Sequence, residues 1–456
     1  MSDSISHPCI ARPICEAHHR RGLHRREFIG RAAQAIGAGA VLGGTQIGCV
    51  PKTEPSTESA TTSPSAPLRI ALLATGNPAE AIRRAWSAVS DQPIDLDVAE
   101  LDRAQVADTT SLLTSAKRAD VLIYPLAMVG EATSSDIVID FSDSDLSSIE
   151  SANGPLMVGL RNATRFSGRV SAIPLGAQVP ALMSTTNTSP LRDWNEYDRW
   201  VAEDLNGKAA EPLAAGWAAA MFLWRAASMT QGTWLFGREN LQPVIAEDTY
   251  VSVLEQLAKT ANRYQASRLT PKEIWKGLAD GQIMAGIGFP QSIHIDGVSI
   301  GNLPGDDQSP RVLLDMYTPV VSISSGCRQS MAAKQFITWL CGGDGSENLR
   351  QQVPSLTRTR TARLNVDSES ETGQHDQYDA WLAERMKTTM TLPAIQLHAA
   401  TKYYQALDQQ VGRCLDGKAN PAEALGEAAK QWQAITTEVG TEQQMRQWRR
   451  CQGMRA

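Results

Sequence analysis

The feature of this sequence that most restricts its fold is an alternation of short apolar runs and helical segments that begins at residue 68. Leu68–Ala74 is a nearly continuous apolar run, as expected of a strand buried on both faces. Residues 94–98 alternate between apolar and polar side chains, and residues 121–124 form another apolar run. Because helical patterns separate these runs, the order is strand, helix, strand, helix, strand. This order predicts an α/β fold with a parallel sheet and right-handed crossovers.

The rest of the chain extends this pattern. Residues 170–183 form an extended segment broken by prolines and a glycine, which suggests a strand that crosses between two lobes. Helical patterns dominate from 194 to about 280, strands are predicted at 284–290 and 319–325, and a helix is predicted at 330–341. The last hundred residues are expected to be helical.

Composition narrows the function classes. The chain has 456 residues, 42% hydrophobic and 20% charged, which is enough for two or three domain-sized units. Its formal net charge of −6, without a basic patch beyond the N-terminal region, argues against a nucleic-acid partner. Three scattered histidines follow residue 49, His294, His375 and His398, so no histidine metal site is expected.

The N-terminal region has the pattern of a targeting signal. Arg25 and Arg26 form a twin arginine followed by Phe28 and Ile29, and residues 32–48 are weakly apolar and rich in Ala and Gly. That stretch is too short and too weakly hydrophobic for a membrane-spanning helix, which needs about 20 strongly apolar residues. The pattern resembles a twin-arginine export signal, which implies that export machinery reads Arg25 and Arg26.

Cys49 follows Gly48 directly and resembles the lipidated cysteine of a bacterial lipoprotein cleavage site. Gln46 departs from that motif, which prefers an aliphatic residue there; ordinary signal cleavage, giving a freely soluble protein, is the alternative. Residues 50–67 consist mainly of Ser, Thr, Pro, Ala and charged residues, so we expect a disordered tether. With 1–49 as the export signal, the mature protein would be periplasmic or extracytoplasmic, and lipid-anchored through Cys49.

Five stretches of the chain are similar to extracellular solute-binding proteins of ABC importers, the family that includes many sugar and oligosaccharide receptors. They are 119–125, 173–180, 270–290, 330–340, and 392–395 with 403–407. The resemblance implies two α/β lobes joined by hinge strands, which close by hinge motion on a ligand held in the cleft between them. Lobe one would comprise 68–178 plus 284–327, and lobe two 179–283 plus 328–456. The implied partner is an ABC permease, and we expect a monomer without a cofactor.

A sugar ligand calls for aromatic side chains against its ring faces and polar side chains against its hydroxyls. Eleven tryptophans against seven phenylalanines and eight tyrosines fit this weakly. Trp217 is the leading candidate, because it follows Gly216 at the start of a helix and the resemblance places a ligand-facing residue nearby; a core tryptophan is the alternative. The resemblance also implies a stacking role for Phe289. Further candidates are Tyr124 at the carboxyl end of a strand, Gln178 on the crossing segment, Asp193 and Trp194 in a polar loop, and Tyr403 near the C-terminal helices.

Two enzyme classes remain as alternatives, an exported oxidoreductase and a glycoside hydrolase. Metalloprotease, nucleotide-binding, serine-hydrolase and Cys-x-x-Cys motifs are absent from the sequence. A carboxylate pair of a glycosidase cannot be located from sequence. Of the cysteines after residue 300, Cys327 and Cys341 lie at opposite ends of a predicted helix, too far apart for a disulfide. Cys414 and Cys451 are a possible pair, and free buried thiols are the alternative.

Overall fold

The computed structural model describes residues 66–186, 190–266, 268–305, 311–342, 349–361, 374–388 and 390–454. The twin arginine, Cys49 and the tether up to residue 65 lie outside these residues.

The described strands are β1 (Leu68–Ala74), β2 (Ile94–Glu100), β3 (Val121–Pro125), β4 (Val138–Ile139), β5 (Arg165–Phe166), β6 (Arg169–Val170), β7 (Ile173–Pro174), β8 (Ala181–Ser184), β9 (Ala209–Ala210), β10 (Ala285–Gly288), β11 (Ser299–Gly301), β12 (Arg311–Leu313), β13 (Pro319–Ser324) and β14 (Met390–Leu392).

The described α-helices are α1 (Ala79–Ser87), α2 (Thr109–Ala116), α3 (Val129–Ser134), α4 (Asp143–Asn153), α5 (Trp194–Glu203), α6 (Ala218–Met229), α7 (Asp248–Ala261), α8 (Pro271–Ala279), α9 (Ser330–Leu340), α10 (Gln374–Thr388), α11 (Ala400–Leu415), α12 (Pro421–Val439) and α13 (Thr441–Cys451).

The first sheet has the strand order β2-β1-β3-β13-β4, with β7 paired to β13. β1 lies between β2 and β3 and is parallel to both, which confirms the parallel arrangement expected from the strand–helix–strand order. Strand β13 returns from much later in the chain and pairs antiparallel with β3, β4 and β7. The edge strand β2 alternates between half-buried and exposed residues, whereas β3 is buried throughout. Strand position in the sheet thus explains the two apolar patterns seen in the sequence.

The first sheet is covered on both faces. Leu68, Ile70 and Leu72 of β1 belong to a core cluster that also contains Trp86 of α1 and Phe336 of α9. The Trp86 ring lies 5.2 Å from Phe336 in an edge-on arrangement. Side chains on the opposite face join a second cluster, which continues into the helices of the other lobe. This sheet and its helices form lobe one.

The second sheet has the strand order β11-β8-β10-β9 and belongs to lobe two. Helix α8 packs on β10, and helix α6 packs against α7 and α11. Eleven of the twelve residues of α6, from Ala218 to Ser228, are buried, which accounts for its apolar sequence on every face. The long C-terminal helices α11, α12 and α13 pack consecutively on this side of the molecule and confirm the helical character expected there.

The strand pairing changes two of the expected lobe boundaries. Residues 284–327 were assigned to lobe one, but β10 pairs with β8 and β9 of the second sheet. Residues from 328 onward were assigned to lobe two, but α9 packs on β13 and α4 in the core of lobe one. The apolar pattern of a segment predicts that it is buried, and it does not predict in which sheet, because either sheet offers the same apolar environment.

Two described segments connect the lobes side by side. Residues 175–180 leave β7 toward β8, and residues 314–318 leave β12 toward β13. The amide of Asp315 donates to the carbonyl of Gln178 at 3.1 Å, and the amide of Leu175 donates to the carbonyl of Pro319 at 2.9 Å. The predicted crossing segment is therefore present, and it is hydrogen-bonded to the return segment.

The four described cysteines are free. Burial raises the pKa of Cys341 to about 11 and that of Cys451 to about 12. The Cys451 thiol donates to the carbonyl of Gln396 at 3.6 Å rather than bonding to Cys414. Among the described residues, no helix is both long and apolar enough to span a membrane.

A buried ion pair fastens the start of β1 to the rest of lobe one. Asp120 is fully buried and accepts from the Arg69 side chain at 2.8 and 2.9 Å and from the Arg69 amide at 3.0 Å. The amide of Arg328, which follows β13, donates to the same carboxylate at 2.7 Å. Burial alone would raise the pKa of Asp120, but these hydrogen bonds outweigh it and lower the pKa to about 2.

We expect Asp120→Asn to lower the free energy of unfolding at pH 7 by about 1.5–3 kcal/mol, because an amide cannot accept all of these hydrogen bonds. The carboxylate, whose pKa is lower in the folded state, stabilises the protein above its unfolded pKa and loses this contribution as pH falls toward 2. The deficit of the variant should therefore shrink between about pH 5 and pH 2 in urea titrations. Asp140→Asn, which breaks an exposed pair with Arg169, is the control and should cost less than about 1 kcal/mol. Equal losses in the two variants would contradict the prediction.

Candidate functional site

The candidate site lies where the carboxyl end of β2 meets the amino end of α6. The chain leaves β2 at Glu100, and three residues later Arg103 reaches across to lobe two. Its Nε donates to the carbonyl of Gly216 at 3.2 Å. This position agrees with the rule that ligands of open α/β sheets bind beyond the carboxyl ends of the strands. We call the junction of Arg103, Gly216, Trp217 and the return segment 314–318 the interlobe cleft.

Gly216 makes the close approach of the two lobes possible. Its φ is +81°, a backbone conformation that residues with a Cβ adopt only at a cost in free energy. A Cβ at this position would lie 2.7 Å from the backbone carbonyl carbon of Arg103 and 2.8 Å from its Cβ. Glycine is thus required here both by the backbone conformation and by the contact between lobes.

The Arg103 guanidinium occupies the centre of the cleft. Its Nη1 and Nη2 each donate to one oxygen of Asp315 at 2.7 Å. The guanidinium carbon lies 3.5 Å from the ring centroid of Trp217 and 4.5 Å from that of Tyr317. Only 9% of the Arg103 side chain and none of the Asp315 side chain is exposed. The result is a desolvated bidentate ion pair held against two aromatic rings.

A second carboxylate, Asp408 of α11, faces the start of α6. It accepts from the amides of Gly216 at 2.7 Å and Ala219 at 2.9 Å. The amide of Ala219 lies in the first turn of α6 and has no partner within the helix, and Gly216 just precedes the helix, so the carboxylate satisfies both amides and complements the positive end of the helix dipole. Burial nevertheless raises the pKa of Asp408, and it also raises the pKa of the nearby Tyr317 to about 12.

A small cavity lies beside Arg103. A cavity of only about 10 Å³, lined by Arg103, Tyr317, Tyr404 and Asp408 among others, lies between the lobes. This is room for about one water molecule. This cavity is too small to hold a sugar ring.

Of the residues predicted from sequence, Trp217, Phe289 and Gln178 lie in or next to the interlobe cleft. Trp217 is half-buried, with Phe289 and Trp224 behind it at ring distances of 6.4 and 6.3 Å. Phe289 is buried and contacts Trp224 edge-on at 5.6 Å, so it supports the Trp217 ring from behind. Gln178 is half-buried on the crossing segment, bonded through its carbonyl to Asp315.

The other predicted residues lie elsewhere. Tyr124 is fully buried in the first sheet, where its hydroxyl is bonded to Ser322 at 2.9 Å. Trp194 is buried in lobe two and donates to Ser228, and Tyr403 is buried with its hydroxyl on Thr436. Asp193 is exposed and caps α5 by accepting from the amide of Glu196. These positions make the four residues part of the framework, because none presents a side chain to the cleft.

Sequence reasoning missed Arg103, Asp315, Tyr317 and Asp408. Arg103 carried a detectable signal, because it closely follows the carboxyl end of a predicted strand. Asp315 and Tyr317 stand just before the predicted strand at 319, at the second crossing between lobes. Asp408 lies within a helix far along the chain, and nothing in its local sequence indicates a contact with α6.

The described residues contain no group of three His, Cys, Asp or Glu side chains that could hold a metal ion. The two carboxylates of the cleft already accept hydrogen bonds, Asp315 from Arg103 and Asp408 from the start of α6. The cleft contains an aromatic ring, two carboxylates and a guanidinium group. This combination suits the recognition of a ring with hydroxyl groups.

We expect Gly216→Ala to destabilise the protein by about 1–2 kcal/mol through its left-handed backbone and by about 1–3 kcal/mol more through the clash with Arg103. Gly168→Ala is the matched control, because Gly168 has a similar φ of +77° but open space around it. Urea titration should separate the two variants, and small-angle scattering should show a larger radius of gyration only for Gly216→Ala. Equal losses and unchanged scattering would contradict this account.

No protein-family model and no curated protein sequence matches the chain. Several solved structures match its fold. Maltose-bound MalE3 of T. maritima has a TM-score of 0.62 at 16% identity, covering 80% of this chain and 99% of that one. The sugar-binding protein MalE of Xanthomonas citri has a TM-score of 0.63 at 13% identity, with coverages of 81% and 98%.

An ABC transporter solute-binding protein from Agrobacterium vitis S4 with bound D-mannitol has a TM-score of 0.62 at 16% identity, with coverages of 82% and 99%. Nearly the whole length of each of these proteins is matched, and both lobes take part in the match. The chain therefore has the two-lobed α/β fold of periplasmic solute-binding proteins of the MalE type.

Proposed function

We propose that this protein is an extracytoplasmic solute-binding receptor, which captures a saccharide or polyol between its lobes for an ABC-type importer. The observation that carries the proposal is the interlobe cleft, where a single guanidinium, that of Arg103, contacts both the Trp217 ring and the Asp315 carboxylate. A pyranose ring can stack on the indole while adjacent hydroxyls donate to the carboxylate. The lobes can open and close because the described connections between them are two short extended segments.

The structural neighbours support the ligand class. Maltose and D-mannitol are bound in two of them, and the third is described as a sugar-binding protein. Both bound ligands are small, neutral and rich in hydroxyl groups. We propose the same class for this chain, with an ABC permease as the partner that receives the ligand.

We propose binding without catalysis. A retaining or inverting glycosidase needs one carboxyl group as acid and another as nucleophile or base, both directed at the scissile bond. In the cleft, Asp408 accepts hydrogen bonds from the amides at the start of α6, which leaves Asp315 without a second carboxyl group to form a catalytic pair. These engagements favour a recognition site over a catalytic pair.

The N-terminal sequence supports a route out of the cytoplasm. We propose that Arg25 and Arg26 direct twin-arginine export and that lipidated Cys49 anchors the mature protein. The Ser-, Thr- and Pro-rich segment 50–67 would then connect the anchor to β1 at Leu68.

We expect Trp217→Ala to weaken saccharide binding about ten- to a hundredfold, because the ring face loses its aromatic partner. Isothermal titration calorimetry with maltose, D-mannitol and a panel of other oligosaccharides measures this, combined with chromatographic analysis for cleavage products. Trp200→Ala is the control, since Trp200 is half-buried on α5 against Tyr197 and away from the cleft. Cleavage products would overturn the receptor proposal, and absence of binding to every saccharide would overturn the ligand class.

We expect Cys49→Ser to move the exported protein from the membrane fraction to the soluble fraction, because the acyl anchor is lost. Replacing Arg25 and Arg26 by lysine should instead retain the full-length precursor in the cytoplasm. Cys15→Ser, which changes another N-terminal cysteine, should alter neither result. Fractionation of the producing bacterium with immunoblotting gives the readout, and membrane association of Cys49→Ser would contradict anchoring.

A further inference from the structure

The Arg103 side chain contacts an aromatic ring and a carboxylate of the interlobe cleft, two groups of the kind that bind sugars. Its guanidinium carbon lies 3.5 Å from the Trp217 ring centroid, and its two terminal nitrogens each donate to Asp315 at 2.7 Å. Its third donor, Nε, bonds to the carbonyl of Gly216. A flat group above an indole with two parallel donors to one carboxylate is also how a sugar ring with two adjacent hydroxyls would bind there.

The contacts of Arg103 also join separate parts of the molecule. Arg103 belongs to the loop after β2 of lobe one, while Gly216 and Trp217 precede α6 of lobe two. Asp315 and Tyr317 lie on the return segment between the lobes. Because the guanidinium lies against the Trp217 ring and bonds both Asp315 oxygens, a sugar ring cannot take these positions while Arg103 holds them.

Few contacts of the described residues would be broken if the guanidinium left the cleft. Arg103 forms a salt bridge with Asp315 and donates from Nε to the Gly216 carbonyl, while the Asp408 carboxylate accepts from the amides of Gly216 and Ala219. Rotation of the side chain toward solvent would leave the Trp217 face and both Asp315 oxygens available. An open arrangement of the lobes would permit that rotation, because the loop after β2 then moves away from α6.

We propose that the Arg103 side chain is an internal occupant of the ligand subsite formed by Trp217, Asp315 and Tyr317, and that the ligand binds there by displacing it. This proposal rests on the proposed receptor function. It identifies the ligand as a ring that presents an apolar face and two adjacent hydroxyl donors. It also makes Arg103 a determinant of affinity, because the apparent dissociation constant rises as the fraction of unoccupied subsite falls.

The test uses Arg103→Ala in the mature protein. We expect it to bind the saccharide found in the calorimetric panel at least about tenfold more tightly than the wild type, since the competing side chain is gone. We also expect methylguanidinium to refill the vacated space. At millimolar concentration it should raise the melting temperature of Arg103→Ala by about 2–4 °C and should not stabilise the wild type. Methylammonium, which has the same charge without the planar fork, is the control ion.

Competition between methylguanidinium and the saccharide completes the test. Methylguanidinium should weaken saccharide binding to Arg103→Ala. It should have no such effect in the double variant that carries both Arg103→Ala and Trp217→Ala. Weaker saccharide binding in a folded Arg103→Ala would make Arg103 a direct ligand contact and overturn the proposal, while the receptor function stands. Saccharide binding without competition would overturn the assignment of the subsite. Rescue by methylguanidinium without binding of any saccharide would overturn the proposed function and leave a cation site.

If removal of Arg103 leaves the Asp315 charge too costly for folding, Arg103→Gln provides the same comparison. Glutamine keeps one donor for Asp315 but lacks both the charge and the planar fork. Its saccharide affinity should lie between those of the wild type and Arg103→Ala. An affinity below that of the wild type would overturn the proposal in the same way.

Discussion

The insertion of β13 into the first sheet is the constraint on which the rest of this structure depends. Having built the second sheet, the chain returns and forms antiparallel hydrogen bonds to β3 and β4. Because a strand in the middle of a sheet must have partners on both sides, lobe one cannot be completed before lobe two has been made. The return path must run beside the outgoing one, and the amide of Asp315 is therefore bonded to the carbonyl of Gln178. The hinge, the cleft above it and the position of Asp315 all follow from this pairing.

Electrostatics at the cleft differ from electrostatics within the lobes. Arg69 and Asp120 pair inside lobe one, where the ion pair and two backbone amides join β1, the start of β3 and the segment after β13. Arg103 and Asp315 pair at the junction between the lobes. A buried pair of this kind gains Coulomb energy but loses hydration, so its net contribution is small enough to be exchanged for a ligand of similar hydrogen-bonding capacity. The same kind of ion pair thus joins elements within lobe one in one place and lies at the junction of the two lobes in the other.

The tryptophans show how far residue type can predict a role. Of the two singled out from sequence, Trp194 is buried in the core of lobe two and Trp217 lies at the interlobe cleft. The sequence distinguished Trp217 through its neighbour Gly216, whose positive φ allows the lobes to approach. Trp194 stood in a polar loop and pointed the prediction toward the surface, yet its indole donates to Ser228 in the interior. Burial of an aromatic ring depends on what packs above it, which local sequence does not encode.

By itself the sequence determined the elements and their kind. The apolar run Leu68–Ala74, the alternation in β2 and the capped helices each reflect local periodicity, which is set by the backbone geometry of strands and helices. Local patterns do not determine which sheet a late strand joins, so Ala285–Gly288 and Ser330–Leu340 were assigned to the wrong lobes. Only the tertiary structure brought Arg103, Trp217, Asp315 and Asp408 together, since contacts between residues a hundred or more positions apart depend on how the lobes pack. The interlobe cleft and the position of Arg103 within it therefore depend on the tertiary structure.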